Sequence, residues 1–161
     1  MVRLTRAGEY AIRGMLYLAQ QPEEGLTLIA DVAKNQGVSP GFLAKIFQEL
    51  ARAELVDSHR GAGGGVSLGK PAGTINLRMI IEAVEGPIAL NNCLIGHDGC
   101  ARTQECALAD VWREAQEAML AKLEQTNLAD LAARERKKSS VSDGTLRLTG
   151  ATHGNGDGVG S

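Results

Sequence analysis

Three cysteines, the only ones in the chain, lie close together in the segment NNCLIGHDGCARTQECALADVW. They are Cys93, Cys100 and Cys106. Three thiols cannot all pair with one another, and thiolates are soft ligands that favour zinc, copper(I) or iron–sulfur centres. The spacing differs from the C-x2-C pairs of common zinc sites. Three interpretations stay open on spacing alone: an iron–sulfur cluster, a zinc site, and thiols that are either reactive or simply buried.

A fourth ligand must come from outside the cysteine set. Nearby candidates are His97, Asp98 and Glu105, although a lone loop histidine is more often exposed to solvent than bound to a metal. A distant candidate is the first helix of a partner subunit, where Arg6 and Glu9 interrupt an otherwise apolar pattern.

A second group of residues has the pattern of a helix-turn-helix. Short helices are predicted over Thr27 to Gln36 and from about Pro40 to Arg52, with Gly37 supplying the left-handed residue between them. Ser39 is a good N-cap, and proline is favoured at the first helical position. In this layout the second helix enters the major groove of DNA.

The candidate DNA contacts lie on the second helix and at the tip of a hairpin that follows it. On the helix, only Ser39 and Lys45 of the candidates carry side chains that can hydrogen-bond base edges. Few direct base contacts are therefore predicted, and we expect DNA shape to contribute to recognition. At the hairpin, Arg60 precedes the glycines GAGGG and is placed to reach a minor groove. The full candidate set is Ser39, Pro40, Gly41, Ala44, Lys45, Arg60, Gly63 and Gly64.

Charge supports nucleic-acid binding locally and not globally. The formal net charge is −2 and the pI is near 5.9, so the whole chain has no basic signature. Residues 34–80, however, contain six basic side chains against three acidic ones. The predicted phosphate-facing excess consists of Lys34, Lys45, Arg52, Arg60, Lys70 and Arg78.

The remaining pattern predicts the elements that position these residues. Apolar spacing predicts a first helix over 3–20 and a further helix over 76–85. The β-leaning runs on either side of the glycine cluster predict a two-stranded hairpin, the wing. The longest helical pattern runs from about Arg102 to Leu131, and a helix of this length outside a small core needs a partner.

Two classes of protein are disfavoured. The N-terminal stretch carries Arg3, Arg6, Glu9 and Arg13 inside its apolar pattern, which fits neither a signal peptide nor a membrane span, and we expect a cytoplasmic protein. No nucleophile and base occur at a spacing typical of catalysis, so we do not expect an enzyme.

Taken together, these motifs resemble the family of winged-helix iron–sulfur transcriptional regulators that includes IscR, NsrR and RirA. The resemblance covers about residues 1–132. It is carried by RLTRAGEYAIR at 3–13, by VSPGFLAKIFQELARAELVDSHRGAGGGVSLGK at 38–70, and by the three cysteines with the following ALADVW.

The resemblance implies a ligand set for the cluster. IscR-like members have a histidine three residues after the last cysteine, where this chain has Ala109. NsrR-like members use an acidic residue of the partner's first helix, and the matching position here is Glu9. The implied set is therefore Cys93, Cys100 and Cys106 with Glu9 of the partner subunit, which favours a 4Fe–4S cluster over a 2Fe–2S cluster.

The resemblance also implies a function: a homodimer that binds a pseudo-palindromic promoter site on double-stranded DNA and represses transcription. The cluster would control DNA affinity by sensing nitric oxide, redox state or iron status. The alternative is a winged-helix regulator that uses zinc or thiol redox chemistry without a cluster.

The predicted fold is mainly α, a winged helix-turn-helix with a small β-hairpin wing and a long dimerisation helix. The predicted divisions are a DNA-binding domain at 1–86, a cluster-binding loop at 87–107, a dimerisation region at 102–132, and a tail rich in Gly, Ser and Thr, expected to be disordered, at 137–161.

Overall fold

The computed structural model of the chain describes residues 4–22, 25–61, 64–95 and 105–149. Within these residues the fold is mainly helical with one antiparallel hairpin, which confirms the predicted fold class. The elements in chain order are α1 (Arg6–Ala19), α2 (Ile29–Gln36), α3 (Pro40–Arg52), β1 (Val56–His59), β2 (Gly65–Leu68), α4 (Leu77–Glu85), α5 (Ala107–Glu124) and α6 (Leu128–Thr149).

One hydrophobic core lies beneath the helix-turn-helix. Helix α1 crosses it and packs against α2, α3, α4 and α6. Gly14 of α1 lets the ring of Phe47 come close, because a Cβ built there would lie 2.8 Å from Phe47 Cε2. The core's fully buried large side chains include Met15, Leu43, Leu50, Leu55, Ile75, Ile80 and Leu128. Burial of this kind fixes the inner face of α3 and leaves its outer face free.

The turn between α2 and α3 forms as its residues predict. Gly37 has φ 67° and ψ 34°, the left-handed region that favours glycine, and the Val38 N–H donates to the carbonyl of Ala33 at 3.0 Å. Ser39 is the N-cap of α3, and its hydroxyl oxygen accepts a hydrogen bond from the Phe42 N–H at 3.3 Å. The predicted bounds of α3 are confirmed.

The wing is a short hairpin with an added backbone pairing along the outer edge of β2. Strand β1 pairs with β2 from Val56 opposite Leu68 to His59 opposite Gly65. Thr27 forms a bridge with Val66, with N–H to carbonyl distances of 2.9 and 2.8 Å in the two directions. Helix α2 therefore begins at Ile29, two residues later than predicted, because Thr27 belongs to this extended pairing.

The predicted helix from about Arg102 to Leu131 is wrong as a single element, because α5 ends at Glu124 and α6 begins at Leu128. Tertiary hydrogen bonds cause the break: the Thr126 carbonyl accepts from the Leu77 N–H at 3.0 Å, and the Leu128 N–H donates to the Ile75 carbonyl at 2.9 Å. Asn127 also accepts the Asp130 N–H through its side chain, which supports a new helix start.

The predicted disordered tail also differs from the structure, since α6 continues through residue 137 as far as Thr149. Helix α6 is packed at its start by the buried Leu128 and Ala132, and extending a formed helix adds one hydrogen bond for each residue fixed. The Arg, Glu and Lys residues at 134–138 are good helix formers. The rest of the predicted tail, 150–161, lies outside the described residues. None of the helices described is long and apolar enough to cross a membrane.

Candidate nucleic-acid interface and cysteine loop

Helix α3 presents one buried face and one exposed face. Its buried side chains are Leu43, Ile46, Phe47 and Leu50. The residues predicted to contact DNA lie on the opposite side: Ser39, Pro40, Gly41 and Lys45 are exposed and Ala44 is half-buried. The structure therefore brings these five positions together on an accessible surface.

Two details of this surface bear on DNA contact. The Ser39 oxygen accepts the capping bond from Phe42, and the hydroxyl hydrogen is left to donate to a phosphate or base. A Cβ built on Gly41 would meet no atom within 4 Å, so the protein itself does not require glycine there for space. A glycine on an exposed helix face instead leaves room for close approach of another backbone.

Gln48 belongs to the same surface, although it was absent from the predicted set. It is exposed and lies three residues after Lys45, which places it on the face that carries Gly41. A glutamine side chain can bond adenine through two hydrogen bonds in the major groove. The helical spacing was the signal for this residue, since positions 41, 45 and 48 fall on one face.

The wing places Arg60 directly after β1, with its side chain exposed. Gly61 has φ 107° and its carbonyl accepts from the Gly64 N–H at 2.9 Å, which closes the turn. A Cβ on Gly64 would collide with the carbonyl oxygen of His59, so Gly64 is required by the turn itself. Gly63, also predicted as a DNA contact, lies outside the described residues.

The predicted basic excess needs a correction at Arg78. Its guanidinium binds Glu82 of α4 at 3.0 Å and Glu124 of α5, and these carboxylates hold the pKa of Arg78 above its ordinary value. Arg78 thus fastens α5 to α4, and two carboxylates balance its positive charge. Arg52 pairs with Glu49 on α3. The count of charges over 34–80 could not reveal Glu124, which lies 46 residues after Arg78.

The cysteine loop is described at its two ends. Cys93 lies in a short 3-10 turn and Cys106 is the N-cap of α5, and both thiols are half-buried. Cys100, His97 and Asp98 fall in 96–104, outside the described residues. Thiolates are soft ligands, so cysteines at both ends of the loop are chemically suited to bind a soft metal centre.

The other candidate ligands do not gather around these two cysteines. Glu9 is exposed on α1 and Glu105 is exposed just before α5. Among the residues that the structure describes, no three potential metal-ligating side chains come together. A complete ligand set would therefore need residues from 96–104, a second subunit, or both.

Helix α5 leaves an apolar stripe uncovered. Leu108 is 56% exposed and Val111 57% exposed, and Ala115 and Ala118 continue the same face at helical spacing. On another face of α5, the indole N–H of Trp112 is buried and has no hydrogen-bond partner among the described residues. The stripe has the character of an unpartnered helix-packing surface.

The Rrf2 family, described as an iron-dependent transcriptional regulator, matches residues 4–134. The HTH-type transcriptional regulator IscR of Klebsiella pneumoniae is 36% identical over 130 residues, which is 81% of this chain and 79% of that protein.

Two solved structures share this fold. CymR, the global cysteine regulator of B. subtilis, is 28% identical with a TM-score of 0.65, covering 83% of this chain and 98% of that chain. IscR of T. potens is 24% identical and shares the fold, with a TM-score of 0.66 over 96% of this chain and 94% of that chain.

Proposed function

The chain belongs to the Rrf2 family of transcriptional regulators, and from that premise we propose that an iron–sulfur cluster controls its DNA affinity and that it acts as a repressor in the cytoplasm. Its curated relatives are named as transcriptional regulators and not as enzymes. The observation that carries the proposal is a pair of half-buried cysteines, Cys93 and Cys106, at the two ends of one loop. Cys106 is also the N-cap of α5, the helix that bears the uncovered apolar stripe.

DNA recognition in this proposal uses α3 and the wing. The exposed face of α3 enters the major groove through Ser39, Lys45 and Gln48, and Arg60 enters the adjacent minor groove. Phosphate contacts then come from the remaining basic side chains of the surface, including Lys34.

The dimer forms through α5. Two copies that cross at Leu108 and Val111 bury side chains that are more than half exposed in one chain. Antiparallel crossing generates a two-fold axis, so the two recognition helices meet a pseudo-palindromic site.

The proposed ligands are Cys93, Cys100 and Cys106 with Glu9 of the partner subunit. Ala109 supports this choice, because it is 2% exposed and has no donor atom at the position where IscR-like proteins carry histidine. Glu9 is exposed and thus available to a second chain. When bound, a 4Fe–4S cluster with one carboxylate ligand supplies an iron that is open to nitric oxide, to oxygen or to loss.

Regulation follows from the position of the loop. With Cys93, Cys100 and Cys106 as ligands from one chain and Glu9 from the partner subunit, a bound cluster would link the loop to the partner's first helix, and this link would set the separation of the two helix-turn-helix units. Its loss would shift the population away from the spacing that fits DNA. Because binding equilibria are linked, DNA binding must alter cluster affinity by the same factor.

A second candidate is a regulator that uses zinc or thiol redox chemistry. It is favoured by the likeness to CymR, which is described as a global cysteine regulator. Both candidates share the DNA-binding surface and differ in what the cysteines hold.

Anaerobic purification followed by visible absorption spectroscopy and by iron and sulfide assay separates them. About four irons and four sulfides per chain, in a brown protein that nitric oxide bleaches, are the expected result. A red protein with about two irons replaces the 4Fe–4S assignment by a 2Fe–2S cluster. A colourless protein, with or without zinc, contradicts the cluster.

A further inference from the structure

The C-terminal end of α4 is fastened to the N-terminus of α1 by one carboxylate. Glu85 Oε1 accepts hydrogen bonds from the Thr5 N–H at 2.8 Å and from the Thr5 hydroxyl at 2.9 Å. Thr5 is the N-cap of α1, and its hydroxyl oxygen accepts from the Gly8 N–H at 3.2 Å. Glu85 therefore holds the residue that caps α1, at the end where the helix dipole attracts negative charge.

Gly8 makes room for this contact. A Cβ built on Gly8 would lie 3.0 Å from Glu85 Cδ and closer still to Oε1, and its three nearest atoms all belong to Glu85. The glycine is buried inside a helix, where glycine is otherwise unfavourable relative to alanine. Gly8 and Glu85 thus fit one another across the fold.

The contact joins two functional regions. Glu85 is the last residue of α4, and Gly86, with φ 80°, and Pro87 then lead into the segment that reaches Cys93. On the other side, Thr5 and Gly8 share the first turn of α1 with Glu9. Helix α1 in turn packs against the recognition helix α3.

We propose that Glu85 is a positioning residue that fastens the first turn of α1 to the stem of the cysteine loop. A change in the loop then reaches Glu9 and, through α1, the recognition helix. This inference rests on the proposed function, in which the loop holds the sensing centre.

A double-mutant cycle tests the contact without reference to any metal. Gly8→Ala is expected to lower the denaturation midpoint of the wild-type protein, because the new methyl group displaces Glu85. In a Glu85→Ala background the same substitution is expected to be neutral or stabilising, since alanine has a higher helix propensity than glycine. Equal effects of Gly8→Ala in both backgrounds overturn the proposal. Glu85→Ser also removes the side-chain atoms that lie against Gly8, so the cycle is repeated in that background should Glu85→Ala fail to fold.

Amide hydrogen exchange over residues 4–9 tests the link to the loop. Exchange is measured before and after the loop is altered, by chelation of bound metal or, where the protein holds none, by diamide oxidation of its thiols. Wild-type exchange is expected to change by at least about tenfold, as expected for loss of a hydrogen bond to a charged group. In Glu85→Ala the two states are expected to exchange at the same rate.

The matched control is Glu82→Ala. It removes another carboxylate of α4, which binds Arg78 and not Thr5. This variant should keep the wild-type response. A full response in Glu85→Ala, or none in the wild type, contradicts the proposal. A protein that lacks iron yet shows the response to diamide contradicts the cluster and supports the role of Glu85.

Discussion

The recognition helix and the cysteine loop are held in place by different means. Four side chains of α3 are buried in a core formed within one chain, and the wing is fixed by strand register and by the Thr27 bridge. The loop has two half-buried cysteines at its ends and leads into α5, whose Leu108 and Val111 stay more than half exposed. The predicted DNA-reading surface is thus fixed by contacts within one chain, whereas in the proposed function the loop region also depends on contacts from a second chain.

The sharpest test of this difference is Cys100→Ala. In the proposed function it removes a cluster ligand, so visible absorption, iron and sulfide are expected to fall to background. The recognition region contains no cluster contact, and circular dichroism should show unchanged helix content. An unchanged visible spectrum would remove Cys100 from the ligand set.

Leu43→Ala tests the recognition side. Leu43 is fully buried in α3, and a cavity at such a position costs about 2–5 kcal/mol of unfolding free energy. Urea denaturation measures this loss. Glu117→Ala is the control in the other region, because Glu117 is exposed on α5 and lies on a face away from the proposed dimer interface. Equal destabilisation by both variants would break the comparison.

Val111→Asp is expected to disrupt the dimer without unfolding the chain. A charge in the middle of a helix-packing stripe costs at least about 2 kcal/mol of association free energy, which is roughly thirtyfold in the dimer dissociation constant. Sedimentation velocity measures the change. Glu117→Lys alters the charge of α5 on another face and should leave the dimer intact. A dimer of unchanged affinity in Val111→Asp would exclude this stripe as the interface.

Arg60→Ala is expected to have the smallest effect of the four. Loss of one arginine from a groove costs about 1–3 kcal/mol, with reduced preference for a narrow minor groove. Fluorescence anisotropy with operator variants at several salt concentrations measures both changes. Lys137→Ala removes one positive charge from α6, as Arg60→Ala does from the wing, and is the control for the change in net charge. Equal affinity of wild type and Arg60→Ala on all operator variants would refute the role of the wing.

Local signals predicted the recognition region well. The bounds of α3 follow from a glycine turn, a capping serine and a proline at the first helical position, which all act within a few residues. Gln48 was missed although helical spacing placed it on the exposed face, because the candidate set on α3 ended at Lys45.

Long-range contacts account for the errors. The break between α5 and α6 depends on hydrogen bonds from Thr126 and Leu128 to a segment about fifty residues earlier in sequence. Arg78 was counted with the phosphate-facing charges because its partner Glu124 is equally distant along the chain. The cysteines were identifiable by residue type, whereas Cys100 lies outside the described residues and the proposed ligand Glu9 would come from a second chain.

Trp112 gives the proposed sensing region its own optical label. It is the only tryptophan in the sequence, and it lies on α5 less than two turns beyond Cys106. Its indole N–H is buried, and an iron–sulfur cluster held by the loop would absorb in the wavelength range where tryptophan emits. In the proposed function, fluorescence of the unmodified protein would therefore report loading of the loop without an added dye.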